Sequence, residues 1–105
     1  MTRLGRILPD AEDEVARGAA WYESKRHGLG VEFVATIDEA INRIADSPDA
    51  YPRWRDDRSY RKCVVRRFPH LVFYDVEAGE VVVVAVAHAK RKPGYWLGRS
   101  TTSTR

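Results

Sequence analysis

The chain has 105 residues, of which 44% are hydrophobic and 31% are charged, a composition typical of one ordinary globular domain. No run approaches the roughly 20 consecutive apolar residues of a membrane-spanning helix, and the N-terminal residues lack the apolar segment of a secretory signal. Cys63 is the one cysteine and leaves no partner for an internal disulfide. We therefore expect a cytoplasmic protein that does not enter a membrane.

Charge is divided unevenly between the two halves of the chain. Residues 1–50 contain 6 Lys and Arg against 10 Asp and Glu, whereas residues 51–105 contain 12 against 5. The C-terminal half therefore carries a balance of +7 within a net charge of +3. Such asymmetry favours an anionic partner, either nucleic acid or an acidic protein, over a surface that is only solvated.

The first third of the chain predicts a short strand at residues 4–8 and then a helix. Pro9 and Asp10 form a helix-start signal, and the acidic residues that follow favour the positive end of the helix dipole. An apolar stripe at three- and four-residue spacing marks the buried side of this helix: Ala11, Val15, Gly18, Ala19 and Tyr22. We expect the helix to end near Gly28.

A second helix begins almost at once and ends before Pro48. Its apolar residues fall on one face: Leu29, Phe33, Ile37, Ala40, Ile41 and Ile44. The connection at Gly28 to Gly30 is so short that the two helices must form an antiparallel hairpin.

The remainder of the chain predicts a charged loop at residues 51–59 and then three strands. The strand segments are RKCVVRRF, HLVFYDVE and EVVVVAVAH, all rich in β-branched and aromatic residues. Ala78 and Gly79 suit a tight hairpin turn, and short connections favour antiparallel neighbours. We predict an α+β domain over residues 1–99, with the helical hairpin on one face of a three- to four-stranded antiparallel sheet. Residues 100–105 form a polar tail that we expect to be frayed.

No sequence pattern indicates a metal site or a cofactor. The chain has no glycine-rich phosphate loop and no Cys and His spacing that suits zinc. Its histidines are scattered, and the pair Asp56 and Asp57 lacks an evident third ligand. Cys63, in an apolar strand segment, is more typical of a small buried residue than of a nucleophile.

Arginines and a basic aromatic segment are the remaining candidates for function. Arg66 and Arg67 are adjacent in a predicted strand, so one should point to each face of the sheet. Which of these faces is open stays undetermined, and the face opposite the helices is where an arginine could be exposed. The last strand is followed by a mixture of cations and rings that suits nucleic acid: His88, Lys90, Arg91, Lys92, Tyr95 and Trp96. Alternatively, Tyr95 and Trp96 pack back on the sheet, and His88 is either a general acid or base or a structural residue.

The order of these parts resembles the RelE/ParE superfamily of toxins. The resemblance is carried by WYE near the end of the first helix, by GLGVEFVATIDEAINRIADSPDAYP, and by RRFPHLVFYDVEAGEVVVVAVAHAKRKPGYW. It extends over about residues 4–99. It implies the toxin of a type II toxin–antitoxin module, also described as a plasmid-stabilisation protein, which inhibits growth and is neutralised by a cognate antitoxin.

The superfamily acts on two kinds of target. One branch cuts messenger RNA in the ribosome without metal; here the matching catalytic positions are Arg66, Arg67, His88, Arg91 and Tyr95. The other branch binds DNA gyrase and needs no catalytic residues. The stretch from Val86 to Arg91 is more similar to this ParE-like branch.

Target binding, to gyrase or to nucleic acid, is assigned to Arg61, Lys62, Lys90, Lys92 and Trp96. A third interpretation is that the chain is an inert relative of these toxins that serves only as a binding module. Whether the chain is an enzyme and what oligomer it forms stay open.

Overall fold

The computed structural model describes residues 3–99. One strand precedes two helices, and three strands follow them: β1 (Arg3–Ile7), α1 (Pro9–Lys25), α2 (Leu29–Asp46), β2 (Arg61–Val64), β3 (His70–Glu77) and β4 (Glu80–His88). The predicted α+β class is confirmed. The polar tail predicted at 100–105 lies outside the described residues.

The four strands form one sheet in the order β1-β4-β3-β2. β2, β3 and β4 are antiparallel neighbours, as predicted, whereas β1 runs parallel to β4. The expectation of a wholly antiparallel sheet is therefore wrong for β1. The short-connection argument does not apply to this pair, because the helical hairpin and two strands separate β1 from β4 along the chain.

The predicted helical hairpin is confirmed, with a small change at its turn. α1 ends at Lys25 rather than near Gly28, and Gly28 instead precedes α2 in the left-handed conformation, with φ +89°, which glycine adopts without strain. The carboxylate of Glu23 accepts hydrogen bonds from the backbone N–H groups of Gly28 and Gly30. The turn is therefore fixed by a side chain of the helix that it follows.

The main core lies between the hairpin and one face of the sheet. Phe33, Ile37 and Ile44 of α2 are fully buried and belong to one cluster with Val72 and Val83 of the sheet. Each such side chain contributes about 1.5–3 kcal/mol through its removal from water. The apolar stripe predicted for α2 is the surface that makes this core.

The opposite face of the sheet, which the sequence left undetermined, is also covered. Residues 89–99, called here the C-terminal segment, turn back across it and bring Trp96 to 1% exposure. The centre of its ring lies 4.8 Å from the ring centre of Phe73, 4.8 Å from that of Tyr60 and 5.0 Å from that of Trp54. The alternative that this segment packs on the sheet is confirmed, and it gives the domain a second core.

The turn between β3 and β4 agrees with the sequence. Ala78 and Gly79 both have positive φ values, 52° and 77°, as a tight hairpin turn requires. Within residues 3–99, neither helix is long and apolar enough to cross a membrane.

Candidate functional site

A pocket of about 150 Å³ lies where β4 ends, between the second face of the sheet and the C-terminal segment. Most residues predicted to act in catalysis or binding line it: Lys62, His88, Arg91, Lys92, Tyr95 and Trp96. Arg61, Arg66, Arg67 and Lys90 do not line this pocket. The structure thus brings together the basic aromatic segment and one cation of β2, and it leaves the paired arginines elsewhere.

Arg66 and Arg67 are not in a strand, contrary to the prediction. β2 ends at Val64, and Arg67 adopts φ 72° in the bend that leads to β3. Both arginines are exposed. Arg67 forms an ion pair with Glu32 of α2, and its guanidinium lies 5.7 Å from the ring centre of Phe68. A left-handed residue interrupts strand geometry, so the two side chains do not mark opposite faces of the sheet.

Tyr95 is held by a buried carboxylate of α1. Its hydroxyl donates a hydrogen bond to Oε2 of Glu14, whose two oxygens also accept hydrogen bonds from Nη1 and Nη2 of Arg99, each at 3.0 Å. The Glu14 side chain is 6% exposed and that of Arg99 is 16% exposed. We call these three residues the Glu14 clasp.

The clasp shifts the titration of its members. Burial alone would raise the pKa of Glu14, but the hydrogen bonds from Arg99, Tyr95 and the Val86 N–H outweigh it and hold that pKa below its usual value. Burial and the hydrogen bond to Glu14 raise the pKa of Tyr95 to about 12. Tyr95 is therefore a neutral phenol at physiological pH, and its proton is engaged in the hydrogen bond to Glu14.

The clasp also completes the edge of β4. β1 pairs with β4 only as far as Val83. Beyond that point the carbonyl of Val84 accepts a hydrogen bond from Nη1 of Arg99, and the N–H of Val86 donates one to Oε1 of Glu14, both at 2.9 Å. Two side chains thus replace the backbone partners that β1 does not supply, which removes the desolvation penalty of unpaired strand groups.

His88, at the end of β4, lies beside a second histidine. Its Nδ1 accepts a hydrogen bond from the Lys90 N–H at 3.1 Å, and its ring centre is 5.2 Å from that of His70. Burial, followed by the nearby His88, lowers the pKa of His70 to about 4. His70 is consequently neutral at physiological pH.

The residues assigned to target binding differ in their availability. Nη1 of Arg61 donates a hydrogen bond to the Tyr51 carbonyl, and this arginine lines a separate pocket. Lys62 is half-buried and Lys90 and Lys92 are exposed; within residues 3–99 their ammonium groups have no ion-pair partner. Trp96 is buried in the second core, so the expectation that it offers a ring to a target does not agree with its position.

Sequence reasoning missed Glu14, Arg99 and His70 as members of this region. A signal existed for Glu14, because it falls three residues after Ala11 and four before Gly18, on the apolar stripe of α1. A carboxylate at a core position must be paired. Arg99 and His70 carried no comparable signal, since their partners lie on other elements.

The described residues contain no group of three or more His, Cys, Asp or Glu side chains placed to hold a metal ion. Cys63 is buried, and burial raises the pKa of its thiol. The chemistry available at the pocket is thus that of cations, one histidine and one hydrogen-bonded phenol.

Comparison with known proteins identifies the family. Residues 6–93 match the family described as the ParE toxin of type II toxin–antitoxin system, parDE. A solved structure, the chromosomal ParDE TA system from P. aeruginosa, shares the fold with a TM-score of 0.72 at 15% identity, covering 84% of this chain and 96% of that chain. None of the curated proteins gives a significant match.

The fold and the family match define a toxin of a type II toxin–antitoxin system. The chain belongs to the ParE toxin family. This context supports an antitoxin as its partner, as the sequence resemblance implies.

Proposed function

We propose that this toxin acts in the cytoplasm by binding DNA gyrase, without a catalytic step, and that its cognate antitoxin blocks this binding. The observation that carries the proposal is the Glu14 clasp. It uses Tyr95, the phenol that a ribosomal nuclease would need for proton transfer, to hold the C-terminal segment on α1.

Metal-independent RNA cleavage requires a base for the 2′-hydroxyl, an acid for the leaving oxygen and cations for the phosphorane. Tyr95, with a pKa of about 12, is a weak candidate for either proton transfer at neutral pH. Arg66 and Arg67 do not line the pocket that holds His88 and Arg91. Two of the five catalytic positions implied by the resemblance, Arg66 and Arg67, therefore lie apart from the other three.

A binding poison needs only a surface of suitable charge and shape. The end of β4 presents Lys90, Arg91 and Lys92 in succession, all exposed. Val64, on the edge strand β2, is an exposed apolar residue at 68%, with β3 between it and β4. Exposed cations and exposed apolar residues are both features that a protein-binding surface uses.

The proposal is tested by the supercoiling activity of purified bacterial DNA gyrase on relaxed plasmid with ATP. We expect the purified chain to inhibit supercoiling. Replacing Lys90→Glu together with Lys92→Glu should raise the half-inhibitory concentration at least about tenfold, a loss of about 1.4 kcal/mol. Arg53→Glu with Arg58→Glu changes the net charge equally at two exposed arginines that do not line the pocket, and it should leave inhibition within about twofold.

No inhibition of gyrase by the folded chain would refute the proposal. Equal losses in both double variants would show that net charge, rather than the surface at the end of β4, controls the effect.

One observation favours the ribosomal nuclease as a second candidate. His88 and Arg91 line the same pocket as Lys62 and Lys92, so a proton-transfer group and three cations do converge. Cleavage of messenger RNA on purified ribosomes by the wild-type chain, abolished by His88→Ala, would establish this activity in place of gyrase binding. Under our proposal no such cleavage occurs.

A further inference from the structure

Two adjoining depressions lie between α1 and the ends of β3 and β4. The larger, called here the aromatic bay, measures about 510 Å³ and is lined by Gly18, Trp21, Tyr22, Pro69, His70 and His88. The smaller, called here the cationic pocket, measures about 200 Å³ and is lined by Glu14, Arg17, Gly18, His70, Val86, His88 and Arg91. Because three residues line both, the two depressions form one continuous surface.

The cationic pocket brings two arginines to one small space. Arg17 is exposed, and the guanidinium of Arg91 lies 3.8 Å from the ring centre of Tyr95. Neither arginine has an ion-pair partner within residues 3–99. The pocket is several times the ~30 Å³ that one water occupies in the liquid, so it suits a single small group. Two guanidinium groups at such a pocket favour one anion with several acceptor oxygens.

The carboxylate at this pocket does not cancel the positive charge. Glu14 lines the pocket, but its two oxygens accept hydrogen bonds from Nη1 and Nη2 of Arg99, each at 3.0 Å. The Val86 N–H donates to the same carboxylate. The charge of Glu14 is thus compensated within the clasp, and the charges of Arg17 and Arg91 are left for a ligand.

The two histidines add hydrogen-bond donors. Nδ1 of His88 accepts a hydrogen bond from the Lys90 N–H, so a neutral His88 carries its proton on Nε2. His70 is 8% exposed, and its Nδ1 is buried without a hydrogen-bond partner among the described residues. A buried acceptor without a partner costs less than a buried N–H without one, so the proton of His70 also belongs on Nε2. Both rings therefore supply N–H groups.

This proton placement separates an anion site from a metal site. Histidines that bind a metal ion must present an unprotonated nitrogen, whereas the bond from Lys90 occupies that nitrogen in His88. Two arginines would also repel a cation at the same pocket. An anion, in contrast, accepts from the arginines and from the imidazole N–H groups alike.

The aromatic bay offers a ring that the fold leaves accessible. Trp21 is 57% exposed, although tryptophan is one of the largest apolar side chains. Its ring contacts Tyr22 edge-on at 5.0 Å, and Nζ of Lys25 lies 4.9 Å from its centre. An exposed indole face is suited to stacking with a planar ring.

Two other depressions lack this combination. At the pocket with Lys62 and Lys92, the buried ring of Trp96 packs on Trp54 at 5.0 Å, so the indole of Trp96 offers no free face. A surface of about 570 Å³ on the outer side of the hairpin is lined by apolar residues together with Glu23 and Asp38. These two carboxylates would repel an anion.

We propose that this surface binds a phosphate monoester carried on a planar ring, the chemistry of a nucleoside monophosphate. The phosphate occupies the cationic pocket and accepts hydrogen bonds from Arg17, Arg91 and the histidine N–H groups. The planar ring stacks on Trp21 in the aromatic bay. This binding is independent of which target the toxin inhibits.

The proposal is tested by NMR titration of the full chain, labelled with ¹⁵N, with adenosine 5′-monophosphate. Adenosine, which lacks the phosphate, and ribose 5-phosphate, which lacks the base, are the comparison ligands. We expect the monophosphate to shift the indole N–H signal of Trp21 and the ring signals of His70. Its affinity should exceed that of either comparison ligand at least about fivefold and should fall with added salt.

Variants divide the site into its two parts. Arg17→Gln should weaken the monophosphate and ribose 5-phosphate at least about fivefold and leave adenosine unchanged. Trp21→Ala should weaken the monophosphate and adenosine by a similar factor and leave ribose 5-phosphate unchanged. Arg53→Gln and Val31→Ala, at exposed positions outside this surface, should leave all three affinities unchanged. A dispersed amide spectrum checks that each variant is folded.

Three results would overturn the proposal: no shift at Trp21 with millimolar monophosphate, an affinity no greater than that of ribose 5-phosphate, or an affinity unchanged in both Arg17→Gln and Trp21→Ala. Tighter binding of unphosphorylated hexathymidylate at the same residues would also overturn it and assign the surface to a nucleic-acid strand. Arg17→Gln should not alter gyrase inhibition, so a failure here is distinguishable from a failure of the gyrase proposal.

Discussion

A single residue, Glu14, links α1, β4 and the C-terminal segment through its carboxylate. It accepts hydrogen bonds from the backbone of Val86 in β4 and from the side chains of Tyr95 and Arg99 in the C-terminal segment. Because the carboxylate is almost fully buried, removing its charge would leave the Arg99 guanidinium, itself largely buried, without its main counter-charge. Breaking a buried pair in this way is far more costly than losing a surface ion pair.

We therefore predict that Glu14→Gln lowers the free energy of unfolding by about 3 kcal/mol. Urea denaturation followed by tryptophan fluorescence measures this, because Trp96 lies in the second core that the clasp closes. Glu12→Gln, on the exposed side of the same helical turn, should change the stability by less than about 0.5 kcal/mol. Similar small effects of both substitutions would show that the clasp does not stabilise the fold.

His70 links stability to pH. It is neutral in the folded protein, with a pKa of about 4, whereas an unfolded histidine titrates near 6.5. Below pH 6.5 the unfolded chain therefore binds the extra proton and the folded chain does not. The stabilisation is present above pH 6.5 and is lost as the pH falls towards 4.

Between pH 7 and pH 5 this linkage predicts a loss of about 2 kcal/mol in the free energy of unfolding. His70→Phe keeps an aromatic ring among Tyr22 and Phe33 and should remove most of this dependence. The difference between the wild type and the variant, measured by urea denaturation at several pH values, isolates the contribution of His70. Glu14 titrates below this window, since its pKa is lowered. Parallel pH profiles for both proteins would contradict the assignment.

At the scale of elements, the contact between α1 and α2 depends on a residue without a side chain. A Cβ at Gly18 would lie 2.8 Å from Cε2 of Phe33, which is closer than such atoms approach in folded proteins. Phe33 is fully buried and packs against the rings of Tyr22, Phe68 and His70. The glycine in the apolar stripe of α1 is thus needed for close approach of the helices.

Gly18→Ala is expected to destabilise the protein by about 1–3 kcal/mol, because an extra methyl group overpacks the core. The loss would occur although alanine is a better helix former than glycine by about 1 kcal/mol. Gly98→Ala serves as the control, since a Cβ there meets no atom within 4 Å. An increase in the melting temperature of Gly18→Ala would mean that α1 and α2 accommodate the added methyl group without loss of stability.

The helices and strands were predictable because their signals are local. The apolar stripe of α2 that contains Phe33 and Ile37 is predicted by the spacing of its residues. The turn at Ala78 and Gly79 is predicted by its residue types. The end of β2 at Val64 could not be predicted from the sequence. It depends on the left-handed conformation of Arg67 and on its pairing with Glu32, which lies 35 residues away in the chain.

The candidate site was predictable only in part, for the same reason. His88 and Arg91 follow a strand in a basic segment, and the structure places both at one pocket. Tyr95 was predicted as a candidate for catalysis, but the carboxylate that binds it, that of Glu14, lies 81 residues away in the chain. Arg99, which binds the same carboxylate, lies 85 residues from Glu14. No local pattern links such distant residues; the position of Glu14 on the apolar stripe of α1 indicates that its carboxylate is paired but does not indicate with which residue.

For the whole molecule, both faces of the sheet are covered and two surfaces remain at the end of β4. One is the pocket with Lys62 and Lys92; the other lies between α1 and the ends of β3 and β4 and is lined by Trp21 and His70. His88 lines both surfaces.

We propose that the toxin stops growth by binding gyrase and not by cleaving messenger RNA. The most direct measurement is the incorporation of labelled thymidine and of labelled amino acid in bacteria, minutes after expression of this chain without antitoxin. We predict that thymidine incorporation falls first, for the wild type and for His88→Ala alike. An earlier fall in amino acid incorporation that disappears in His88→Ala would refute gyrase binding and assign the toxin to the ribosome.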